Sequence, residues 1–315
     1  MAEISVIMLV HNREDYVGKA VQSILSQSFK DFELIIVNNC STDGSMKIVK
    51  EYQKKDSRVW TFDSTTENIG AGRNLGLSKA TGKYFTFVDD DDYCMPDFLK
   101  TLYQLAEEYN ADLSVCGSYY DIEGEIKPKY VYDELLIFNK IEAMTDFLLR
   151  KHFNNGNPTK LFRRTTEICK VNYNESGKYD DIHTMYRFFM ALGNKESAVV
   201  AKGKPMYCVR RHCLNNSNAT LDFQRLSPEW LKEYACAYNE RTVYIGQKMP
   251  ELTALARYTE WSWMISMVEK IHRFSLENCR EQLEYMENVL RKNKEEFYRS
   301  KWIRDFEREW IKKYI

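Results

Sequence analysis

Four consecutive aspartates, Asp89–Asp92, follow the apolar run Tyr84–Val88 in FTFVDDDDYCMP. Four carboxylates at the tip of a buried strand repel one another and lose hydration, so something must offset their charge. A hard divalent cation bound through oxygens would do so. A solvated acidic turn ahead of a helix, with Pro96 in its first turn, accounts for the same residues without a ligand. A second acidic pair, Asp180-Asp181, stands in GKYDDIHTMYRF. A basic stretch, Arg210-Arg211-His212, ends the last predicted strand.

The elements around the aspartates decide between these readings. Ile4–Val10 (ISVIMLV) and Phe32–Val37 (FELIIV) are continuous apolar runs, the pattern of strands buried on both faces of a parallel sheet. Each is followed by a helical spacing, Glu14–Gln27 and Ser45–Lys54. Val59–Phe62 is a short third strand. Asn68–Asn74 (NIGAGRN) is a glycine-rich turn opening a helix that runs through Ala80. Lys83–Val88 is the fourth strand and leads into the aspartates. Strand–helix alternation with short connections predicts an α/β domain with a mostly parallel sheet, whose ligand site lies beyond the strand carboxyl ends. His11–Arg13, Asn38–Asp43 and Asp89–Asp92 all fall at such ends. Three polar clusters on one sheet edge make a pocket.

Beyond Pro96 the pattern predicts a helix (Asp97–Tyr109), a strand (Asp112–Gly117), a hairpin around Glu123-Gly124 and a helix over Lys140–Lys151. A polar turn, Asn154–Pro158, precedes Lys160–Arg164. A helix over Ile182–Leu192 and strands over Ser197–Ala201 and Met206–Arg210 complete this part. After about Asn215 the chain turns helical and aromatic, with helices expected over Ser227–Gln247, Leu252–His272, Glu277–Lys294 and Glu295–Lys313. The expected division is an α/β domain over 1–214, in halves of about 1–117 and 118–214, and a helical region over 215–315.

The formal net charge of the 315 residues is -1, so nothing electrostatic favours a nucleic-acid partner. The opening residues lack the basic segment, apolar length and cleavage site of a signal peptide. No stretch approaches ~18 consecutive apolar residues, the length that spans a membrane. The 8 cysteines are scattered without a CxxC pair, which predicts neither zinc nor a disulfide framework. A cytoplasmic protein is expected, either free or resting on the inner face of the membrane.

Three blocks carry a resemblance to the family 2 glycosyltransferases, the nucleotide-sugar-dependent enzymes of GT-A fold. SVIMLVHNREDYVGKAVQSILSQSFKDFELIIVNNCSTDGS resembles their opening strand–helix–strand. NIGAGRNLGLSKATGKYFTFVDDDDYCMPDFL resembles the second block, ending in a DXD-type metal motif. YDDIHTMYRF resembles the acidic pair that opens the catalytic helix. The resemblance covers roughly residues 1–212 and implies an inverting transferase in a GT-A, Rossmann-like fold, with a catalytic domain over 1–214 whose first half, about 1–117, binds the nucleotide sugar and whose second, about 118–214, binds the acceptor.

The resemblance also implies roles. Asp91 would bind Mn²⁺ or Mg²⁺, and Asp89 and Asp90 would meet the ribose or a metal-bound water. Of Asp180 and Asp181, the second would be the general base. Attack on the anomeric carbon would then turn an α-linked donor into a β-linked product. Val10 and His11, at the first strand end, would line the nucleoside pocket. Asn39 stands where the family usually carries an Asp that accepts from uracil N3–H. An Asn carbonyl accepts the same bond without the charge, so a UDP-sugar is expected first and a dTDP-sugar second. Arg73 would reach the base or the phosphates. Lys160 would pack beside the site or contact phosphate. Arg211 and His212 would close over the diphosphate, His212 with a further option of binding the metal. The acceptor would be a hydroxyl of a glycan, glycoprotein or glycolipid.

Two other classes compete. A nucleotidyltransferase would want a Gly-rich basic loop after the first strand, which HNREDY lacks. An inactive GT-A scaffold or glycan-binding partner would keep the fold without needing Asp91 and Asp181. In the terminal FYRSKWIRDFEREWIKKYI, Phe297, Trp302, Phe306, Trp310 and Tyr314 recur at helical steps. That stripe fits packing on the protein itself, a homodimer contact, or a peripheral membrane contact.

Overall fold

The computed structural model describes residues 2–153, 155–177, 179–212 and 226–315. The chain divides into two compact units, Met1–His212 and Cys213–Ile315. The junction anticipated around residues 215–226 lies almost wholly outside the described residues.

The first unit is built on one 10-stranded sheet. β1 (Ile4–Val10) lies between β2 (Phe32–Asn38) and β4 (Tyr84–Phe87), parallel to both, and β3 (Val59–Asp63) extends the parallel set beyond β2. The apolar runs are buried because helices cover the sheet. α1 (Val17–Leu25) turns Val17, Ala20, Val21 and Ile24 inward, the stripe its sequence carries. α2 (Ser45–Lys55) connects β2 to β3. In-register pairing sets Val10 beside Asn38 and Asn38 beside Asp63, so the three strands end level.

α3 (Ile69–Lys79) begins at Asn68, whose side chain accepts from the Ala71 amide at 2.9 Å. Its glycines let the helix lie close on its surroundings. A Cβ at Gly72 would meet Leu9 at 2.4 Å, and one at Gly70 would meet the Asn174 carbonyl oxygen at 2.1 Å. The motif is therefore a contact surface between α3, the β1 end and the segment preceding the acidic pair.

The second half of the sheet is mixed. After β5 (Tyr93–Cys94) and α4 (Phe98–Glu108) come β6 (Leu113–Ile122) and β7 (Glu125–Tyr130). These two form the anticipated hairpin, with Glu123 and Gly124 at φ 53° and 91°. β8 (Leu135–Phe138), α5 (Lys140–Leu149), β9 (Lys160–Arg163), α6 (Asp180–Met190) and β10 (Val199–Arg211) follow. β9 runs antiparallel to both β4 and β6, whereas β10 is parallel to β6. The α/β class stands, but the parallel arrangement belongs chiefly to the first four strands. β9 is a four-residue strand entered and left by irregular chain, and nothing in so short a run encodes its direction. The strands expected over Ser197–Ala201 and Met206–Arg210 are one strand. Its register shifts around Pro205 absorb the break.

The second unit is helical: α7 (Pro228–Lys248), α8 (Thr253–Phe274), α9 (Arg280–Lys292), α10 (Lys294–Tyr298) and α11 (Asp305–Tyr314). The last expected helix is thus two. Glu307, fully buried, accepts from the Arg304 amide at 2.8 Å and from Tyr258 and Ser262 of α8 at 3.1 and 2.6 Å. That carboxylate starts a new helix and pins it to α8. Phe297 and Trp302 sit against Tyr258 at 6.0 and 5.9 Å, so the aromatic stripe is not one continuous helix face. Among the described residues, no helix is long and apolar enough to cross a membrane.

Gly70→Ala should force α3 away from Asn174 and destabilise the first unit by about 1–3 kcal/mol. The check is the urea midpoint. An unchanged midpoint would mean that this close approach carries no stability.

Candidate active site

The three strand ends are knitted together by backbone. The Val10 carbonyl accepts from the Asn39 amide at 2.8 Å and from Ser41 Oγ at 3.1 Å. Asn12 turns the first loop at φ 51°, and its Oδ1 accepts from the Thr42 amide at 2.8 Å. The His11 amide donates to Asp90 Oδ2 at 2.9 Å, and the His11 ring Nδ1 lies 2.6 Å from the Asn39 carbonyl. The polar clusters after β1, β2 and β4 therefore form one surface.

The two asparagines have different jobs. Asn38 donates to Asp63 at 2.9 Å and accepts from the Ser41 amide at 2.9 Å, so it shapes the turn. Asn39 is buried. Its Nδ2 donates to the Glu67 carbonyl at 2.9 Å, while among the described residues its Oδ1 has no partner. A buried acceptor without a donor is costly, and a ligand N–H is the natural complement.

Each aspartate after β4 has its own partner. The Asp89 amide donates to the Tyr207 hydroxyl at 3.1 Å, and its carboxylate lies 3.6 Å from Arg73 Nη2. Asp90 takes the His11 amide and lies 3.8 Å from Arg13 Nε. Asp91 lies 3.5 Å from Arg13 and 3.0 Å from His212 Nε2. Asp92 accepts from the Arg210 amide at 2.8 Å, tying the cluster to β10. Burial pushes the Asp89 carboxyl up to about 6, with Arg73 opposing and Asp91 adding to the rise. Burial and then the Asp91 carboxylate raise Asp90 and Asp92 well above the usual range.

His212 is held in place by more than Asp91. Its ring stacks on Tyr16 at 4.2 Å, and the Arg210 guanidinium lies over the same tyrosine at 5.1 Å. Arg211, expected at the phosphates, places its guanidinium over Tyr120 at 4.6 Å. Asp91 and His212 present an oxygen and a nitrogen side by side; with substrate oxygens and water completing the shell, the carboxylate fits either Mn²⁺ or Mg²⁺, and the imidazole nitrogen fits Mn²⁺ better than the oxygen-seeking Mg²⁺. Among the described residues, no three His, Cys, Asp or Glu side chains converge as a ready-made metal cage.

Asp180 and Asp181 open α6. Arg73 Nε donates to Asp180 Oδ2 at 2.5 Å while the same guanidinium faces Asp89. Asn157 Nδ2 donates to Asp181 Oδ1 and lies 3.4 Å from Asp180 Oδ2. Burial and the Asp180 charge raise the Asp181 carboxyl well above the usual range, against the pull of Arg73 and Lys160. Lys160 is fully buried and donates to the Gly156 and Pro158 carbonyls at 2.6 and 3.4 Å. Desolvation draws its ammonium down to about 7.

The structure thus gathers Val10, His11, Asn39, Arg73, Asp89, Asp90, Asp91, Asp180, Asp181 and His212 around linked contacts. It also brings in Arg13, Tyr16, Asn157 and Tyr173, which the sequence did not single out. Arg13 and Asn157 lie inside polar turns already marked as loops. Tyr173 lies in a stretch with no periodic or compositional signal.

A model of glycosyl transferase family 2 matches residues 5–167. The chain belongs to that family, and its sheet and flanking helices are the GT-A arrangement. Glycosyltransferase GlyA of Streptococcus pneumoniae serotype 4 is 35% identical over 176 residues, which is 51% of this chain and 25% of that protein. The chain therefore spans about a quarter of that relative's length. Among solved structures, S. aureus TarS 1-349 in complex with UDP-GlcNAc superposes with a TM-score of 0.67 at 17% identity, covering 93% of this chain and 92% of that one. The mannosyltransferase PcManGT from Pyrobaculum calidifontis, in complex with GDP-Man and Mn²⁺, gives 0.56 at 12% identity, covering 92% and 75%.

Arg73→Met should strip buried Asp180 of its cation and leave it facing the partly exposed, better screened Asp89, at a cost of about 1–2 kcal/mol at neutral pH. The Asp89 carboxyl is already pushed up to about 6, and losing Arg73 would raise it further, so the deficit should shrink as the pH falls towards that value. Urea unfolding at pH 7.5 and 5 tests this, and a deficit that does not depend on pH would rule out a charge origin.

Proposed function

We propose that this protein is an inverting, cation-assisted glycosyltransferase that moves a sugar from a nucleoside diphosphate, UDP first, to a hydroxyl of a glycan acceptor. The observation that carries the proposal is the Arg73 guanidinium, shared between Asp89 at the β4 end and Asp180 beside Asp181. It links the strand-end acids to the acidic pair of α6, which supports a leaving-group site with a base beside it.

Asp181 is the proposed base. The acceptor O–H proton passes to its carboxylate as the acceptor oxygen bonds to the anomeric carbon. The bond from that carbon to the diphosphate breaks, and its electron pair leaves with the phosphate oxygen. One displacement from the face opposite the leaving group inverts the centre, which makes a β-linked product from an α-linked donor. A carboxyl held above its usual range is the better proton acceptor near neutral pH. Asp91 and His212 are the residues proposed to hold Mn²⁺ or Mg²⁺. When bound, that ion would offset the charge of the diphosphate. The repulsion that Asp91 exerts on partly exposed Asp89 and on buried Asp90 and Asp92 favours an added positive charge, and the Mn²⁺ complex of PcManGT agrees with it.

The unsatisfied Asn39 Oδ1 supports a base that offers an N–H. Uracil and thymine present N3–H, whereas cytosine presents a lone pair there. The UDP-GlcNAc complex of TarS fits the same choice. His11, on the neighbouring strand end, would flank the base.

A thermal-shift panel of UDP-, dTDP-, GDP- and CDP-sugars with and without Mn²⁺ tests the donor. UDP should raise the melting temperature in a cation-dependent way, and the failure of every nucleotide would sink the proposal. Asp91→Asn should lose the cation-dependent part. Asp181→Asn should keep donor binding and lose about 10²–10⁴-fold in kcat. Because the base works deprotonated and its carboxyl is raised, kcat/KM should fall on the acid side at a pH above the ordinary carboxylate range. A profile flat down to pH 4.5 would remove Asp181 as base.

A further inference from the structure

We infer that Asn157 is a positioning residue for the transfer step, holding one oxygen of Asp181 so that the other faces the acceptor hydroxyl. The inference rests on the reading of Asp181 as the base.

The contacts are directional. Asn157 is fully buried, and its Nδ2 donates to Asp181 Oδ1 with Asp180 Oδ2 3.4 Å away. An amide could present either face to a carboxylate. Here ionised carboxylates can only accept, which calls for the NH₂ side, and the Tyr173 hydroxyl donates to Asn157 Oδ1 from behind and holds that orientation. Only the NH₂ side is then left for the acids. Tyr173 is itself clamped by Asn74 of α3, which accepts from its amide at 2.7 Å and donates to its carbonyl at 3.0 Å. Its ring packs against Phe87 and Phe188, at 5.7 Å from each.

The turn that carries Asn157 is braced as well. The Lys160 ammonium donates to the carbonyls on either side of it, Gly156 and Pro158. A buried lysine turned onto two carbonyls is an expensive way to shape a surface loop. It is a sensible way to fix a side chain to a fraction of an ångström, the tolerance that transfer chemistry sets. Oδ1 of Asp181 is thus occupied by a donor that cannot rotate, and Oδ2 is left for the acceptor.

Asn157→Ala should lower kcat about 10- to 100-fold while the Kd for UDP with Mn²⁺ stays within about twofold of wild type. It should also move the acid limb of kcat/KM to higher pH, because a donor hydrogen bond favours the carboxylate and its loss raises the carboxyl. Asn157→Asp, which adds a third carboxylate, should move the limb further in the same direction. A purely structural role would lower the melting temperature and donor affinity together and leave the limb in place. Tyr173→Phe keeps the ring and frees the amide, so it should show a weaker form of both effects. If Asn157→Ala does not fold, Tyr173→Phe decides. Wild-type kcat and acid limb in whichever variant decides overturn the inference. If Asp181→Asn retains turnover, the base reading fails first. If Asp181→Asn is dead while Asn157→Ala matches wild type, the inference alone fails.

Discussion

The site depends on a buried guanidinium placed between two groups of acids. Arg73 sits in the first turns of α3, and its charge is shared by Asp89 and Asp180. Desolvating an arginine is costly, but two carboxylates in contact keep it charged. The same contact relieves acids that would otherwise repel across the pocket. Removing any one of the three partners leaves the others in a poorer state, so the strand-end loops and the start of α6 are held to one geometry. An Arg suits this better than a Lys, because its planar fork can serve two carboxylates at once.

The glycines of α3 are what allow that arginine to be there. Gly70 and Gly72 let the helix touch the Asn174 backbone and the β1 end. Asn74, two residues beyond Gly72, then reaches the backbone of Tyr173. One short helix therefore contacts the strand ends, the acidic pair and the tyrosine behind Asn157. Packing, capping and electrostatics meet in it, which explains why NIGAGRN stood out as a motif when a lone glycine pair would have said little.

Much of this was legible in the chain. The apolar runs of β1 and β2 and the stripe of α1 are periodic signals, and their ends place the strand-end loops without any coordinates. The division of labour in Asn38-Asn39 was not legible, since two identical side chains differ only in what surrounds them. Nor was the antiparallel β9, whose direction is set by the chain that enters and leaves it. The break between α10 and α11 was hidden because the aromatic spacing continues across it. The clue lay in Arg304 and Glu307, three residues apart, where a carboxylate can reach back to cap a helix. Asn157 and Tyr173 lacked even that, because each acquires its role from a partner remote in sequence.

The use of a neutral amide next to the acidic pair has a physical logic. A cation touching Asp181 directly would stabilise its charged form and weaken it as a proton acceptor. Arg73 is placed on Asp180, and the Lys160 ammonium is turned onto the Gly156 and Pro158 carbonyls. Both charges therefore act on Asp181 only from a distance, while burial and the Asp180 carboxylate keep its carboxyl high. Among the described residues, the hydrogen bond made to Asp181 by a side chain comes from Asn157, which fixes direction with little charge. With Asp181 as the proposed base, orientation and basicity are set by different residues, and a chain that needs both at once has reason to keep them separate.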